Sequence, residues 1–263
     1  MENKKVAVIT GGSSGIGLAC CKYFAEKGFK VYEISRRDAE NGFAVHIKGD
    51  VTDEGSVARA FARVFEAEGR VDVLVNNAGF GVSGPVEETS LAEAKKQFDV
   101  NFFGCFICSR AAAGYMRKNG GGRIVNVSSV AAVAAIPFQS FYSASKAAIN
   151  SLTLSLANEL KPFNIKVAAV MPGDVRTGFT DARLKNGGGD AYREAVARSV
   201  ATMERDEQNG MPPEKIARAV YSSAVKSRPR PIRTVGFQYH AVCALIKFLP
   251  ASFANYIIGK IYA

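Results

Sequence analysis

The sequence predicts an α/β fold with a doubly wound, mostly parallel sheet in a single domain, followed by a C-terminal helical extension. Short apolar runs typical of buried strands alternate with segments of helical periodicity along most of the chain. Strands separated by helices pair in parallel through right-handed crossovers, which places helices on both faces of the sheet. A chain of 263 residues that is 48% hydrophobic is long enough for one such domain. We assign residues 1–237 to the domain and 238–263 to the extension.

The predicted elements are bounded by residues that commonly start or stop them. The first helix stops at Gly28, Thr52 begins the second, Ser90 and Glu93 form a capping box, and Pro162 closes a later helix. We expect strands at 5–10, 31–34, 45–48, 71–75, 123–127, 165–170 and 232–235, and helices at 16–27, 52–68, 91–118, 141–160 and 213–225.

Composition and charge exclude several classes of protein. The Cys105-x-x-Cys108 spacing is compatible with a redox or metal pair, but the chain holds two His and no second CxxC, so we favour buried thiols in a reducing compartment and expect no metal. No signal peptide or long apolar run is apparent, so we expect a cytoplasmic protein. The net charge of +10 is concentrated in residues 215–263, which carry eight basic and no acidic residues; a local excess of this kind predicts no nucleic-acid partner.

A glycine-rich turn follows the first predicted strand. The segment Thr10-Gly-Gly-Ser-Ser-Gly-Ile-Gly17 leads directly into the first predicted helix. Glycines let the backbone approach a pyrophosphate, and the N-terminus of the helix directs N–H groups and a positive dipole end towards it. The turn therefore predicts a Rossmann-like dinucleotide site. The chain has no Gly-Lys-Ser/Thr, which argues against a P-loop nucleotidase.

Further motifs lie where the predicted strands end. In chain order they are Asn76-Asn77-Ala78-Gly79, Asp99-Val-Asn101, Ser128-Ser129, Tyr142-Ser-Ala-Ser-Lys146, and Pro172-Gly173 with Val175 and Thr177. Together with the glycine turn, this set resembles the short-chain dehydrogenase/reductase family over roughly residues 4–236. The overall arrangement looks most like hydroxysteroid and retinol dehydrogenases, which implies a bulky apolar alcohol or ketone substrate. Fatty-acyl and sugar substrates remain open.

The residues suggest how such chemistry would proceed. Tyr142 and Lys146 are four residues apart at the start of a helix and share one face, so the ammonium is expected to lower the pKa of the phenol. By resemblance, Ser129 rather than Ser128 is the catalytic serine, and Asn101 holds a water linked to Lys146. A Ser-His-Asp hydrolase is disfavoured because the only histidines are His46 and His240. The predicted catalytic residues are Asn101, Ser129, Tyr142 and Lys146.

The choice of nicotinamide cofactor depends on the end of the second strand. If that strand ends at Ile34, Ser35 takes the position of the acidic residue that binds NAD, and Arg36 and Arg37 suit a 2′-phosphate. A shorter strand would make Glu33 a signal for NAD, so we favour NADP and keep NAD as possible. The predicted cofactor contacts are Gly11, Ser13, Ser14, Gly15, Ile16, Gly17, Ser35, Arg36, Arg37, Asp50, Val51, Asn77, Ala78, Gly79, Tyr142, Lys146, Pro172, Gly173, Val175 and Thr177.

Two other functions fit the sequence less well than an alcohol dehydrogenase or ketoreductase. A non-catalytic dinucleotide sensor has no need of the four catalytic residues, and epimerase or dehydratase relatives usually carry a larger C-terminal domain.

The polar stretch 178–211 is interpreted as a mobile lid over the substrate, to which Phe179, Tyr192, Met203 and Met211 contribute. The long helices at 91–118 and 141–160 suggest a homodimer or homotetramer.

The extension 238–263 is rich in large apolar residues and sparse in charge. Three interpretations stay open: packing across the mouth of the active site or against a partner subunit, peripheral membrane contact, and a solvated appendage.

Overall fold

The computed structural model describes residues 4–38 and 41–262 and contains a seven-stranded sheet covered by helices on both faces. All strand pairs of the sheet are parallel, in the order β3-β2-β1-β4-β6-β7-β9, and a small second sheet pairs β5 with β8. The strands are β1 (Val6–Thr10), β2 (Lys30–Ser35), β3 (Val45–Lys48), β4 (Val73–Asn76), β5 (Val82–Ser83), β6 (Gly122–Val127), β7 (Ile165–Pro172), β8 (Leu184–Lys185) and β9 (Ile232–Val235).

Ten α-helices connect or follow these strands in the described part of the chain. They are α1 (Gly15–Glu26), α2 (Glu54–Glu68), α3 (Leu91–Phe98), α4 (Gly104–Lys118), α5 (Ser140–Glu159), α6 (Phe179–Ala182), α7 (Arg193–Gln208), α8 (Pro213–Val225), α9 (Phe237–Phe248) and α10 (Ala251–Tyr262). The predicted α/β fold with a doubly wound sheet is therefore confirmed.

The core lies on both faces of the sheet, and alternate residues of β1 belong to its two halves. Val6 and Val8 of β1 face one apolar cluster, which includes Phe61 of α2. Ala7 and Ile9 face the other, which includes Phe24 of α1. A central parallel strand is buried on both faces, which explains why every residue of β1 is buried and why Val6–Ile9 are all apolar.

The strand order places a ligand crevice beside β1. The chain winds outwards through β2 and β3 on one side of β1, and through β4, β6, β7 and β9 on the other. Ligands of doubly wound sheets bind beyond the carboxyl ends of the strands where the order reverses, which is here between β1 and β4. Thr10 and Asn76 are the last residues of these two strands.

Element boundaries differ from the predictions where capping or a helix irregularity decides them. The second helix begins at Glu54 because Asp53, and not Thr52, is the N-cap and accepts a hydrogen bond from the Ser56 N–H. The Ser90–Glu93 capping box is confirmed. The helix expected at 91–118 is divided by a π-helical turn over Asp99–Phe103.

The stretch 178–211, predicted as a polar lid, contains more regular structure than its composition suggests. It holds α6, the strand β8 and the sixteen-residue helix α7. β8 pairs with β5, so this stretch is hydrogen-bonded to the loop that follows β4. It is consequently a packed layer over the crevice rather than an irregular loop.

Candidate active site

The glycine turn between β1 and α1 has a conformation that requires glycine. Gly11 and Gly15 have φ angles of +67° and +54°, a region that other residues rarely adopt. A Cβ atom at Gly17 would lie 2.1 Å from the Gly11 carbonyl oxygen. Ser14 is the N-cap of α1, and its backbone is extended. Its side chain makes no capping hydrogen bond, so within this described turn the first N–H groups of α1 remain available to a ligand. This cradle fits the pyrophosphate of a dinucleotide.

Thr10 and Asn77 lock the turn to the end of β4. The Thr10 hydroxyl accepts hydrogen bonds from the backbone N–H groups of Asn77 (3.0 Å) and Ala78 (3.1 Å). The Asn77 side-chain amide donates to the carbonyl groups of Thr10 (3.0 Å) and Gly11 (3.2 Å). A Cβ atom at Gly79 would be 3.1 Å from Asn101 Oδ1. The predicted contacts Asn77, Ala78 and Gly79 therefore lie between the glycine turn and Asn101.

The segment after β7 closes the opposite side of the crevice. Thr177 packs against Gly15, where a Cβ atom would lie 3.4 Å from the Thr177 side chain. Val175 forms an isolated bridge with Met211, and the ring of Tyr239 covers Gly173. This segment, which includes Pro172 at the end of β7, therefore reaches the glycine turn.

Asp50 and Val51 lie at the far end of the predicted cofactor crevice, after β3. Asp50 Oδ1 accepts hydrogen bonds from the Thr52 N–H (2.9 Å) and hydroxyl (2.8 Å), and Val51 is buried against Gly104. These bonds hold the turn after β3 in one conformation, with the Asp50 side chain bound to the turn itself.

Glu33 and Ser35, near the end of β2, have different surroundings. β2 runs through Ser35, and Arg36 and Arg37 follow it with exposed side chains. Glu33 lies within the strand, fully buried, where it contacts His46 Nδ1 and accepts a hydrogen bond from the Ser35 hydroxyl (3.3 Å). A Cβ atom at Gly12 would be 2.5 Å from Glu33 Cβ, so Glu33 lies beneath the glycine turn. The strand was expected to end at Ile34 and extends one residue further, so Ser35 is its last residue.

Ser129, Tyr142 and Lys146 come together at the ends of β6 and α5. Lys146 is buried, donates a hydrogen bond from Nζ to the Val127 carbonyl (2.9 Å), and places that atom 5.6 Å from the centre of the Tyr142 ring. The Ser129 hydroxyl accepts a hydrogen bond from the Ala131 N–H (3.1 Å) and lies close enough to the Tyr142 phenol to lower its pKa. Ser128 is buried and donates to the Lys146 carbonyl (3.1 Å), so its hydroxyl is committed to the backbone of α5.

Asn101 is held in the π-helical turn by three hydrogen bonds. Its Oδ1 accepts from the Phe80 N–H (3.0 Å), and its Nδ2 donates to the Phe80 carbonyl and the Ser145 hydroxyl (both 3.1 Å). The Gly79 Cβ position that is close to Asn101 is also 3.7 Å from Lys146 Nζ. Single π-helical turns within helices often occur at functional sites, and this one turns a buried amide towards the lysine.

Burial governs the protonation of Tyr142 and Lys146. Protein atoms pack closely around the phenol, although part of the Tyr142 side chain is accessible. This desolvation raises the pKa of Tyr142 to about 12, and the Ser129 hydroxyl opposes the rise. Desolvation lowers the pKa of Lys146 to about 8. The expectation that Lys146 lowers the phenol pKa is therefore not met in the protein without cofactor, because desolvation is the larger effect.

Sequence reasoning missed a charged group beside Tyr142. The ring of Phe179 lies 5.6 Å from that of Tyr142, and the guanidinium of Arg183 lies 5.6 Å from the same Phe179 ring. Arg183 is buried and forms an ion pair with Glu207. A single arginine in a polar stretch gives no signal of burial, so only the packing of α7 over the crevice reveals it.

The C-terminal helices pack on the crevice along one side and are exposed along the other. The Tyr239 hydroxyl donates to Asp174 Oδ2 (2.7 Å), and Cys243 is buried. Phe237 and Phe248 are 90% and 87% exposed. Across residues 4–38 and 41–262, no helix has the length and apolar content needed to cross a membrane.

Similarity to known proteins agrees with this geometry. A family model described as short chain dehydrogenase matches residues 5–187. A 3-ketodihydrosphingosine reductase from Bacteroides thetaiotaomicron is 39% identical over 265 residues, which covers 98% of each chain. The narrower resemblance to hydroxysteroid and retinol dehydrogenases is thus not confirmed.

Solved structures give the same assignment. A short-chain dehydrogenase from Streptomyces avermitilis superposes with a TM-score of 0.85, at 31% identity over 97% of each chain. A short-chain dehydrogenase/reductase from Burkholderia phymatum in complex with NAD has a TM-score of 0.80, at 27% identity, covering 93% of this chain and 92% of that one. ElxO with NADP bound has a TM-score of 0.75, at 25% identity, covering 90% and 99%. Solved neighbours thus bind either nucleotide, and the chain described here belongs to the short-chain dehydrogenase family of oxidoreductases.

Proposed function

We propose that this protein is a ketoreductase that uses NADPH to reduce a ketone on a bulky or long apolar molecule to a secondary alcohol. The observation that carries the proposal is the Tyr142 phenol, which lies beside Ser129 and the Lys146 ammonium in the crevice that the glycine turn borders. A non-catalytic sensor would not need this group of side chains together with Asn101.

Gly11–Gly17, Asn77–Gly79 and Thr177 would hold the nicotinamide nucleotide, which supplies the hydride for the carbonyl carbon when it is bound. Ser129 donates a hydrogen bond to the substrate oxygen and places it beside the Tyr142 phenol. Tyr142 transfers its proton to that oxygen as negative charge develops, and Lys146, near Asn101, returns a proton towards the phenol. A phenol with a pKa of about 12 is protonated at neutral pH, as the proton donor of a reduction must be.

Apolar side chains around the substrate side support a bulky or long-chain substrate. An open hollow of about 380 Å³ beside the crevice is lined by Pro85, Val86, Glu87, Phe138 and Tyr192. The similarity to a 3-ketodihydrosphingosine reductase favours a long alkyl chain bearing a ketone. Steroids and retinoids, which fit the same apolar character, belong in the same substrate panel.

The end of β2 supports NADP as the cofactor, with NAD as the alternative. Arg36 and Arg37 are exposed beside Ser35, and within the described residues neither forms an ion pair with an acidic side chain. Glu33, the residue that would favour NAD, is buried and engaged with His46. Guanidinium groups at this position suit a 2′-phosphate.

We further propose a cytoplasmic homodimer or homotetramer that contacts lipid surfaces. Phe103, Phe106 and Leu154 are exposed on the long-helix region, which supports subunit packing there. The exposed apolar face of α9 and α10, with Lys247 and Lys260 and without acidic residues, suits an anionic lipid surface.

Replacing Tyr142 by Phe removes the proton donor and leaves the nucleotide cradle intact. We expect kcat for NADPH-dependent reduction of a long-chain 3-ketone to fall by about 10² to 10⁴-fold. NADPH affinity, measured by fluorescence titration, should stay unchanged. Tyr221→Phe, in the aromatic cluster around α1 and α8, is the matched control. A Tyr142→Phe variant with near-normal kcat would disprove the mechanism.

Removing the Arg36 guanidinium weakens binding of the 2′-phosphate. Because charge-assisted hydrogen bonds are worth about 1.5–3 kcal/mol, Arg36→Ala should raise KM for NADPH by about tenfold or more and leave KM for NADH unchanged. Arg228→Ala, in the exposed loop before β9, controls for loss of surface charge. Equal effects on both cofactors would show that Arg36 does not select NADP.

Lys146 makes the stability of the cofactor-free protein depend on pH. Its pKa falls from 10.5 to about 8 on folding, so between those values the unfolded chain binds more protons and folding becomes more favourable as pH rises. Lys146→Met removes this group. Its stability relative to the wild type should be highest below about pH 8 and decline by about 3 kcal/mol by about pH 10.5.

Urea unfolding across that pH range measures the difference between the two proteins. Shifts from Cys20, Cys21, Cys108 and Tyr142 cancel in the comparison. Cys105 does not cancel, because Lys146 lowers its pKa, so Lys146→Met is compared in a Cys105→Ala background. Lys161→Met, at an exposed lysine, serves as the control. A Lys146→Met difference that does not vary with pH would mean that Lys146 is not desolvated.

The lipid contact is tested by sedimentation with phosphatidylglycerol vesicles. Wild type should bind, and a Phe237→Ser, Phe248→Ser double variant should bind far less; Leu91→Ser, 70% exposed on α3, is the control. If the wild type does not bind vesicles, or if the double variant changes oligomer size instead, the apolar face contacts another copy of the chain or solvent.

A further inference from the structure

Glu33 and His46 form a pair of titratable side chains beneath the nucleotide cradle. Glu33 lies in β2 and is in register with His46 in β3. Glu33 Oε1 contacts His46 Nδ1; the Glu33 side chain is completely buried, and the His46 side chain is 20% exposed, so protons from solvent can reach the pair. When the pair holds its acidic proton it has no net charge, and when it loses that proton it carries one negative charge, whichever side chain held it.

The pair is close to both parts of the cradle that would meet phosphate groups. A Cβ atom at Gly12 would be 3.1 Å from Glu33 Oε2, so this oxygen lies directly beneath the glycine turn. The Ser35 hydroxyl is within hydrogen-bonding distance of Glu33 Oε1 (3.3 Å) and of the Arg37 carbonyl oxygen (3.1 Å). Ser35 ends β2, where a 2′-phosphate would bind. A charge on Glu33 therefore lies one hydrogen bond away from that position.

The surrounding protein does not neutralise this charge by hydrogen bonding at its upper side. Glu33 Oε2 and His46 Nε2 have no hydrogen-bond partner within the described residues. A buried carboxylate in a medium of low dielectric constant repels other anions over several ångströms, more strongly than it would in water. The protonation of the pair therefore affects an anionic group that binds beside it.

The other described titratable groups beside the pair keep their charge near neutral pH. Burial, together with the charge of Glu33, raises the pKa of the Cys21 thiol in α1 to about 12, so the thiol stays neutral. A hydrogen bond from Lys48 (3.0 Å) holds the pKa of the Asp38 carboxyl below its usual range, so Asp38, 3.8 Å from His46 Nε2, stays ionised. The remaining charged side chains are cations in this range: Lys22, Arg36 and Arg37.

We propose that the Glu33–His46 pair determines, through one proton, how strongly the protein prefers a nucleotide that carries a 2′-phosphate. With the proton, the pair is neutral and the phosphate binds beside Arg36. Without it, the buried carboxylate repels the phosphate, and the preference over the unphosphorylated nucleotide declines. By linkage, binding of the 2′-phosphate favours uptake of a proton by the pair. The inference rests on the proposed nucleotide site and makes Glu33 and His46 specificity-determining residues.

The test uses two probes that lack the nicotinamide ring, 2′-phospho-ADP-ribose and ADP-ribose. Calorimetric titration at about pH 6.5 and about pH 8.5 gives the ratio of their dissociation constants across the range in which imidazoles commonly titrate. Both probes share the pyrophosphate and both riboses, so the contribution of Lys146 cancels in the ratio. We expect the wild-type preference for the phosphorylated probe to fall by about fivefold or more as pH rises. Ionisation of the phosphate itself, near pH 6, would change the ratio in the opposite direction.

A Glu33→Gln, His46→Gln double variant removes both charges and keeps two side chains that can hydrogen-bond to each other. Its preference for the phosphorylated probe should not fall with pH, and at about pH 8.5 it should exceed that of the wild type by about fivefold. Damaged packing would weaken binding instead. If the double variant does not fold, Glu33→Gln alone should show the same gain. His240→Gln, at the other histidine of the chain and exposed in α9, is the matched control and should keep the wild-type pH dependence.

The inference is overturned if the wild-type preference does not fall with pH, or if the double variant keeps the fall. A constant wild-type preference for the phosphorylated probe would reject the role of the pair and leave NADP as the proposed cofactor. A preference that appears only in the double variant would support the pair and reject NADP for the wild type. No preference in either protein would reject both. Neither probe can be reduced, so the ketoreductase proposal is tested separately.

Discussion

The close packing of a phenol and an ammonium at the carboxyl ends of the strands is the constraint on which the site depends. Desolvation raises the pKa of Tyr142 and lowers that of Lys146, so each group is driven towards its neutral form in the protein without cofactor. Two polar groups oppose this desolvation: the Val127 carbonyl accepts a hydrogen bond from Lys146 Nζ (2.9 Å), and the Ser129 hydroxyl lowers the pKa of Tyr142. The surrounding fold can be understood as the means of holding these few atoms together.

Three parts of the fold supply that positioning. The bonds between Thr10 and Asn77 join the ends of β1 and β4, so the glycine turn and the Asn77–Gly79 loop form one rigid wall. The π-helical turn places the Asn101 amide against the Phe80 backbone and the Ser145 hydroxyl. The pairing of β5 with β8 draws the stretch after β7 across the crevice and brings Phe179 and Arg183 beside Tyr142.

Much of this arrangement follows from local sequence signals. The alternation of predicted strands and helices indicated the parallel sheet, and the motifs at the strand ends indicated which residues lie together at the crevice. What escaped prediction depends on long-range packing: the π-helical interruption before Gly104, the helix α7 within a polar stretch, and the burial of Arg183. The sign of the Tyr142 shift was also missed, because sequence spacing shows the neighbouring charge but not the loss of solvent around the phenol.

The central claim is that desolvation in the crevice raises the pKa of Tyr142 above that of a free tyrosine. Titration of the Tyr142 ring carbon by NMR, with Tyr142→Phe to assign the signal, measures its pKa directly. The account predicts a pKa near 12 in the cofactor-free protein and a clearly lower value once NADP⁺, whose nicotinamide ring is cationic, is bound. A cofactor-free pKa at or below the usual value of a tyrosine, unchanged by NADP⁺, would contradict it.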